Sequence, residues 1–435
     1  MRPTPEQVSA RDSNYRVRVV DGELDELTRS LPAIAIDGAK GVGKTVTASR
    51  RADTVHRLDD RQQLNIARGD QARLLAGQGA ILIDEWQYLP ESWDMVRRAV
   101  DAGAAPGRFL LTGSMTPAHP GTHSGAGRIV SVRMRPLSLA ERDSFTPTVS
   151  LRELLSGSRP AVSGHTNHRL EDYAREIVAS GFPGLRGFKG RALRTQLDGY
   201  LTRIVERDFP ELGHSVRNPV ALRRWMRAYA AATSTSASFE KIRDAASAGH
   251  SEKPARSTTI PYRDALERLW ILDPIEAWLP SRNRISRLSA PPKHQLADPA
   301  LAARLLDLDV DGLLGPGTAG PSMPREGTLL GALFESLVAL SVRVYAQAAE
   351  ARVSHLRTAA GAHEVDLIVE RRNGGILAIE VKLARDIDDH DTRNLRWLAR
   401  EIGEELVDAV VINTGQDAYR RSDGIAVVPA GLLGV

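Results

Sequence analysis

Residues 33–45 read AIAIDGAKGVGKT. An apolar run ends at Asp37, and the next eight residues satisfy the pattern G-x-x-x-x-G-K-[ST]: Gly38, Ala39, Lys40, Gly41, Val42, Gly43, Lys44 and Thr45. Glycines in such a loop let backbone N–H groups curl around phosphate oxygens, and the next helix points its positive end at the same charge. The pattern predicts a P-loop for ATP, with Lys44 on the β- and γ-phosphates and Thr45 on Mg²⁺.

Short apolar runs alternate with longer amphipathic segments on both sides of this loop. The runs are typical of strands and lie at 31–37, 54–60, 80–85, 107–113 and 129–134. Strands that alternate with helices indicate βαβ units and a parallel sheet. We therefore expect an α/β fold that begins with a P-loop NTPase parallel-sheet domain over residues 1–140.

Two of these strands end in polar side chains. The apolar run 80–83 is followed by Asp84 and Glu85. Asp84 is expected to hold Mg²⁺ through water, and Glu85 to orient and deprotonate the attacking water. The strand 110–114 ends in small hydroxyls, so Thr112 or Ser114 is a candidate to sense the γ-phosphate or to fix the water. An ordinary exit from a strand into a loop produces the same pattern.

Composition limits the class of protein. The chain has 435 residues, enough for about three domains, and its 42% hydrophobic and 26% charged residues exclude a mostly disordered or fibrous chain. It contains no cysteine, which excludes a disulfide framework, a thiolate zinc site and a cysteine nucleophile. Together with a polar N-terminus and no long apolar run, this composition leads us to expect a cytoplasmic protein without a membrane partner.

The positive charge is concentrated in the middle of the chain. Residues 181–300 contain 20 Lys/Arg against 12 Asp/Glu, although the whole chain has a net charge of only +4. Such a region fits contact with DNA, and it equally fits a solvated Arg-rich surface.

Residues 219–279 read as helix, helix, break and helix, with the third helix at Pro261–Trp270. This order resembles a winged helix in which residues 270–278 form a hairpin arm. The arginines that face solvent or follow the arm are candidates to contact DNA phosphates: Arg263, Arg268, Arg282, Arg284 and Arg287. Asp264 and Glu267 weaken that reading, and a winged helix used for packing or protein contact remains the alternative.

Charged residues interrupt two apolar strands near the C-terminus. Asp366 lies on the strand 364–370, and Glu380 and Lys382 lie on the strand 376–382. A three-residue turn at 373–375 would place Asp366 opposite Lys382 and Ile368 opposite Glu380, so that the charged groups share one face. A two-residue turn would separate Asp366 from the others. Glu335, on the preceding helix, could join the group.

These features together resemble the AAA+-type ATPases, and more closely the bacterial and archaeal ATPases with an N-terminal AAA domain and a C-terminal domain of unassigned function. The matching stretches cover nearly the whole chain: GAKGVGKT, ILIDEWQYLP, FLLTGS, residues 127–141, GFPGLRG, YLTRIVERD and residues 331–382. The resemblance implies that Arg128 contacts the γ-phosphate, in cis or from a neighbouring subunit. It also makes a homo-oligomer possible, because AAA+ relatives often form rings.

The C-terminal set resembles the PD-(D/E)xK nucleases, with Val365 where that motif has proline. The resemblance implies that Asp366 and Glu380, with Glu335, bind Mg²⁺ and that Lys382 polarises the attacking water. A nuclease-like fold kept as an interaction module is the alternative. We therefore expect a helical joint over 141–215, a winged-helix-like region over 216–290 and a small α/β restriction-endonuclease-like domain over 291–435.

Two functions follow from these expectations. In the first, ATP binding and hydrolysis switch the arrangement of the C-terminal half, which engages or cuts DNA. In the second, the chain is an ATP-switched module whose inert C-terminal domain docks a protein partner.

Overall fold

A computed structural model describes residues 15–115, 126–213, 218–247, 256–278, 290–315, 327–358, 361–372 and 374–435. Its first part is a parallel sheet of five strands in the spatial order β2-β3-β4-β1-β5. The strands are β1 (Ala33–Asp37), β2 (Thr54–Arg57), β3 (Ile81–Asp84), β4 (Phe109–Gly113) and β5 (Val130–Arg133). The helices of this part are α1 (Val19–Leu27), α2 (Lys44–Ser49), α3 (Arg61–Gly69) and α4 (Glu91–Asp101). The expected α/β parallel sheet is confirmed.

The central strands of this sheet are buried on both faces, as parallel strands usually are. Ile34 and Leu110 belong to one hydrophobic cluster, whereas Ala35 and Leu111 belong to another on the opposite face. This alternation follows from the two-residue period of a strand. Both edge strands, β2 and β5, are more exposed.

A helical segment follows the sheet and packs against it. It contains β6 (Val149–Ser150), α5 (Leu151–Leu154), β7 (Gly164–His165), α6 (Leu170–Ala179), α7 (Gly190–Arg203) and α8 (Phe209–Glu211). A single π-helical turn, Ile204–Asp208, joins the last two helices. Such turns are rare and often occur at functional sites.

The basic middle of the chain forms three helices: α9 (Pro219–Ala231), α10 (Phe239–Ser247) and α11 (Arg256–Arg268). After them, antiparallel bridges join Leu272 to Leu296 and Ile275 to Lys293. Three helices followed by an antiparallel pair are in the order of a winged helix, and that assignment stays a prediction. Arg282, Arg284 and Arg287 lie outside the described residues.

The third helix of this region begins earlier than the sequence analysis expected. It already includes Arg256, the first described residue of this stretch, so Ser257 and Thr259 lie inside the helix. Pro261 removes one backbone donor from the helix interior. Burial of Tyr262, Ala265 and Leu266 on one face offsets that loss.

The C-terminal part is a mixed sheet that lies against a long helix. The sheet has eight strands in the order β7-β13-β14-β12-β11-β10-β9-β8. Its strands from β8 onward are β8 (Ala277–Trp278), β9 (Ala351–Arg357), β10 (Glu364–Arg371), β11 (Ile376–Val381), β12 (Leu406–Asn413), β13 (Asp417–Arg420) and β14 (Ala426–Pro429). The last strand, β15 (Leu433–Gly434), pairs with β6 in a separate two-stranded sheet.

Four helices accompany this sheet: α12 (Pro299–Leu305), α13 (Val310–Leu314), α14 (Gly327–Ala348) and α15 (Arg393–Ile402). By length and composition alone, the segment Leu329–Ala348 of α14 could cross a membrane. However, 72% of its most apolar window is buried inside the structure. Within the described ranges, therefore, this segment fits a core helix of the C-terminal part.

The hairpin β10–β11 differs from the expected register by two residues. Leu367 lies opposite Ile379 and Ile368 lies opposite Ala378, so the predicted pairing of Ile368 with Glu380 is wrong. The cause is the position of the turn, which is closed one residue earlier than expected by the Arg371 N–H donating to the Gly375 carbonyl. Because side chains alternate with a period of two, an even shift keeps Asp366 and Glu380 on one face of the sheet.

Candidate functional site

The P-loop lies at the carboxyl end of β1 and leads directly into α2. Gly43 precedes the helix with φ 103°, a left-handed conformation that favours glycine. A Cβ atom on Gly38 would lie 2.2 Å from the Met134 carbonyl oxygen, so this position also requires glycine. The two ends of the loop are thus fixed by backbone geometry.

Lys44 points its ammonium group into the curve of this loop. The Nζ atom donates to the carbonyl oxygens of Gly38 at 2.8 Å and Ala39 at 2.9 Å. Burial lowers the pKa of Lys44 to about 8, although the nearby carboxylates of Glu85 and Asp84 favour the charged form. The ammonium therefore bonds to neutral carbonyls, and its charge is available to an anionic ligand.

Asp84 accepts hydrogen bonds from two hydroxyl groups on neighbouring elements. Thr45 Oγ1 donates to Asp84 Oδ1 at 2.8 Å, and the Thr112 hydroxyl donates to the same oxygen. Burial raises the pKa of Asp84, and both hydrogen bonds favour its charged form. An all-oxygen group of this kind fits a hard cation such as Mg²⁺. Sequence reasoning named Thr112 as a possible sensor, and the structure places it on Asp84.

Glu85 lies next to this group but has different partners. Its backbone is left-handed, with φ 55°, at the point where β3 ends. Ser114 Oγ donates to Glu85 Oε2 at 2.7 Å, and the side-chain amide of Gln87 donates to the same oxygen. The carboxylate of Glu85 is thus oriented by a side chain from the end of β4. Gln87 was not singled out from the sequence.

Arg128 lies away from the P-loop. It precedes β5, which runs parallel to β1, so it lies at the amino end of the sheet, whereas the P-loop lies at the carboxyl end. Its Nε donates to Asp101 Oδ1 at 2.8 Å, at the end of α4. This position does not favour the expected contact of Arg128 with the γ-phosphate in cis, which stays a prediction. A contact with a neighbouring subunit stays a prediction.

The helical segment touches the P-loop directly. Lys40 Nζ forms an ion pair with Asp208 Oδ1 at 2.6 Å, within the π-helical turn. The hydroxyl of Tyr200 donates to the Lys40 carbonyl at 3.0 Å. The ring of Phe182 lies against the ring of Tyr200, with centroids 5.0 Å apart. Sequence reasoning placed Lys40 in the loop but missed Asp208.

The segment before α1 also holds the loop. Arg18 is buried, and its guanidinium donates to the Val42 carbonyl at 2.7 Å and to Glu141 Oε1 at 2.9 Å. Nothing in the local sequence marks Arg18, because its partners lie 24 and 123 residues away.

Asp273 connects three parts of the chain. Its carboxylate accepts from Arg135 at 2.9 Å and from Arg343 at 2.7 Å, and Arg133 lies 3.8 Å away. Burial opposes its charge, but the three guanidinium groups outweigh burial and hold the pKa of Asp273 well below its usual range. The Arg133 guanidinium also stacks on the Trp270 ring, 3.7 Å from its centroid. Ion pairs thus join the end of β5, the middle region and α14.

The C-terminal charged residues lie together in a second place. Asp366 Oδ2 accepts the backbone N–H of Val381 at 2.9 Å, and Lys382 Nζ donates to Glu380 Oε1 at 2.6 Å. Burial raises the pKa of Glu380, and so does the neighbouring charge of Asp366. Its second oxygen, Oε2, is buried and has no hydrogen-bond partner among the residues that the structure describes.

Lys293 completes this group, and the sequence analysis missed it. Its side chain is 1% exposed, and its ammonium lies 2.8 Å from Glu335 Oε1 and 3.1 Å from Asp366 Oδ1. Burial opposes the charge of Lys293, but the carboxylates of Glu335 and Asp366 outweigh it and raise its pKa above the usual range. Two of the carboxylates that the nuclease resemblance assigns to Mg²⁺ are therefore bonded to an ammonium group, and they do not fit a metal ion in this conformation.

Comparison with known proteins divides the chain into three matched segments. A model of an AAA domain matches residues 30–142. Two domains of unknown function match residues 170–312 (DUF8612) and residues 330–433 (DUF4143). The second and third segments carry no assigned activity, and the predicted domain boundaries stay predictions.

Similar proteins and structures were also found. Uncharacterized proteins of Mycobacterium tuberculosis and Mycobacterium bovis are each 29% identical over 406 residues, which is 92% of this chain and 80% of each relative. A Walker-type ATPase of Pyrococcus abyssi is 17% identical with a TM-score of 0.38, over 66% of this chain and 94% of that one. The ORC2 protein of Aeropyrum pernix is 14% identical with a TM-score of 0.31, over 69% and 96%. These TM-scores are too low to establish a shared overall fold.

The match of the AAA domain coincides with the sheet and the P-loop described above. Together they support a P-loop ATPase of the AAA type for the N-terminal part of this chain.

Proposed function

We propose that the chain binds ATP with Mg²⁺ at residues 38–45 and hydrolyses it. The observation that carries the proposal is that two adjacent acids accept hydrogen bonds from different hydroxyl groups. Asp84 accepts hydrogen bonds from the hydroxyls of Thr45 and Thr112, whereas Glu85 accepts one from the hydroxyl of Ser114. One acid is thereby suited to a cation and the other to a water molecule.

Each residue has a distinct role in this proposal. The backbone N–H groups of the loop and the start of α2 bind the phosphates, and Lys44 reaches the β- and γ-phosphates. Thr45 and Asp84 hold Mg²⁺, which neutralises phosphate charge when it is bound. Glu85, oriented by Ser114, positions the attacking water and accepts its proton.

The test is the rate of ATP hydrolysis in Glu85→Gln, with Glu153→Gln as the matched control, because Glu153 is an exposed residue of α5. We expect Glu85→Gln to lose about 100-fold or more in kcat and to bind ATP within about threefold of the wild type. Equal hydrolysis in Glu85→Gln and Glu153→Gln would reject this role.

We also propose that the nucleotide state is passed to the rest of the chain through Lys40. Its ion pair with Asp208 and the bond from Tyr200 join the P-loop to the helical segment. In Asp208→Asn the Lys40 ammonium loses its shorter ion pair and keeps only Glu211, at 3.5 Å, so its charge acts more strongly on phosphate and ATP should bind about threefold more tightly. Asp198→Asn, on the same helical segment but paired with Arg304, is the control. Unchanged ATP affinity in Asp208→Asn would argue against this route.

Of the two expected roles for the C-terminal domain, we favour an inert domain in an ATP-switched interaction module. The Lys293 ammonium forms ion pairs with Glu335 and Asp366, two carboxylates that a nuclease would need to bind its metal ion. In addition, Arg263 forms an ion pair with Asp264 at 3.2 Å, and its guanidinium lies 4.9 Å from the centroid of the Phe239 ring. Its charge is therefore partly neutralised within the protein.

DNA remains the competing partner, and one binding experiment separates the two. Phosphate contacts are strongest at low salt. Low salt is therefore the most sensitive condition for detecting DNA binding. If the C-terminal domain is inert, purified protein should show no DNA binding even at low salt, and no DNA cleavage with Mg²⁺. Binding that disappears in Arg263→Ala, or cleavage that disappears in Asp366→Asn, would restore the first role.

A further inference from the structure

Three carboxylates contact a buried lysine in the C-terminal part, and a fourth, Glu380, pairs with Lys382. We call Glu335, Glu364, Asp366 and Glu380 the carboxylate cluster. Lys293 Nζ lies 2.8 Å from Glu335, 3.1 Å from Asp366 and 3.4 Å from Glu364. Lys382 pairs with Glu380 on the other side. One ammonium group therefore stands among oxygens from α14 and β10 at once.

The lysine reaches this position on a segment from outside the nuclease-like hairpin. We call residues 291–296 the lysine arm. The backbone of Lys293 exchanges two hydrogen bonds with Ile275, each 2.9 Å long. On either side, the Pro291 carbonyl contacts His355 Nε2 at 3.1 Å, and the His294 N–H donates to the Thr235 carbonyl at 2.8 Å. The arm is thus fixed to the middle region and to β9.

The cluster has more negative charge than its lysines can match. Four carboxylates face Lys293, Lys382 and Arg357, which lies 3.8 Å from Glu364, and this leaves one formal negative charge. Glu380 Oε2 is also buried without a hydrogen-bond partner among the described residues, on a side chain that is 4% exposed. Without the Lys293 charge, two formal negative charges would remain beside this buried oxygen, and a divalent cation is the ligand that best relieves both conditions.

We propose that the Lys293 ammonium takes the place of a divalent cation in the carboxylate cluster. While the lysine arm is docked, the cluster binds no metal ion. When the charge of Lys293 is removed, the cluster becomes a site for a hard divalent cation, with Glu335, Asp366 and Glu380 as ligands. This proposal does not depend on ATP hydrolysis, and it is tested without nucleotide.

The experiment measures Mn²⁺ binding to the full chain from the electron paramagnetic resonance signal of free Mn²⁺. Four proteins are compared: the wild type, Asp366→Asn, Lys293→Met and the double variant Lys293→Met/Asp366→Asn. Lys189→Met, an exposed lysine just before α7, is the matched control. All other carboxylates, including those of the P-loop site, are common to every protein and cancel in the comparison.

We expect the wild type, Asp366→Asn and Lys189→Met to bind Mn²⁺ alike. Lys293→Met should bind one additional ion per chain, at least tenfold more tightly than any site in the double variant. Mn²⁺ should also raise the melting temperature of Lys293→Met and leave that of the double variant unchanged.

Two results would overturn the proposal. One is Mn²⁺ binding by the wild type that Asp366→Asn removes, since this would mean that the cluster accepts metal with the lysine in place. The other is a folded Lys293→Met that gains no ion. If Lys293→Met does not fold, the comparison of the wild type with Asp366→Asn decides alone.

Discussion

The nucleotide site and the carboxylate cluster contain similar residues but use them differently. Each has buried acids and a buried lysine. Lys44 donates to backbone carbonyls, and Asp84 accepts from neutral hydroxyls, so the opposite charges there do not bond to each other. Lys293 bonds directly to Glu335 and Asp366. The first site keeps its charges for a ligand, whereas the second pairs its lysines with carboxylates of the same chain.

The comparison shows that the partners of charged residues, more than their identity, distinguish a binding site from a structural ion-pair network. Buried ion pairs perturb pKa values in the same way as active sites do. Four predictions test the difference, in order of decreasing effect.

The largest effect is expected in Lys293→Met. Removing one partner of a buried ion pair leaves carboxylates uncompensated, so the free energy of unfolding should fall by about 3–5 kcal/mol. Urea unfolding measures this, with Lys189→Met expected within about 0.5 kcal/mol of the wild type. Mg²⁺-dependent ATP hydrolysis should stay within about twofold of the wild type. A loss of stability as small as that of Lys189→Met would mean that Lys293 is not the counter-charge of the cluster.

The next effect concerns Asp273, whose three arginines make it a second satisfied acid. Asp273→Asn should lower the free energy of unfolding by about 2–3 kcal/mol, with the exposed Asp311→Asn as control. Because the folded-state pKa of Asp273 is depressed, its contribution is present above the unfolded pKa of about 4 and is lost as the pH falls below it. The wild type should therefore lose more stability than Asp273→Asn between about pH 5 and pH 2. Parallel pH profiles for the two proteins would contradict this assignment.

A smaller effect is expected in the nucleotide site. Ser114→Ala removes a hydrogen bond that orients Glu85, so kcat should fall about tenfold while KM for ATP stays within about threefold. Steady-state hydrolysis measures both constants, and Ser156→Ala on an exposed turn is the control. A change in KM alone would assign Ser114 to nucleotide binding.

The smallest effect is expected in Arg128→Ala. The residue lies at the far edge of the sheet, so hydrolysis by dilute protein should stay within about twofold of the wild type. If Arg128 acts on a neighbouring subunit, wild-type specific activity rises with protein concentration and that of Arg128→Ala does not. A large loss of activity in dilute Arg128→Ala would show that the residue acts in cis.

The nucleotide site was largely predictable from the sequence because each part is local. The P-loop is contiguous, and the acids of β3 and the hydroxyls of β4 follow apolar strands. In a parallel sheet those ends meet at one edge. The same rule places Arg128 at the opposite edge, because it precedes a strand.

The carboxylate cluster was predictable only in part. Side chains alternate between the two faces of a strand, so a register shifted by two residues still brought Asp366 and Glu380 to one face of the hairpin. Lys293 lies 42 residues from Glu335 and 73 from Asp366, and a lone lysine in a proline-rich connection carries no pattern. For the same reason the partners of Asp273 in β5 and α14 were not foreseen. Contacts between distant segments depend on tertiary packing, which no local motif encodes.

The most direct test of the central claim is Mg²⁺-dependent ATP hydrolysis in two variants measured side by side, Lys44→Met and Asp366→Asn. Our account predicts a loss of about 100-fold or more in Lys44→Met, because its charge serves the phosphates, and a rate within about twofold of the wild type in Asp366→Asn. Hydrolysis that persists in Lys44→Met, or that disappears in Asp366→Asn, would contradict the division of the molecule into one open nucleotide site and one ion-paired cluster.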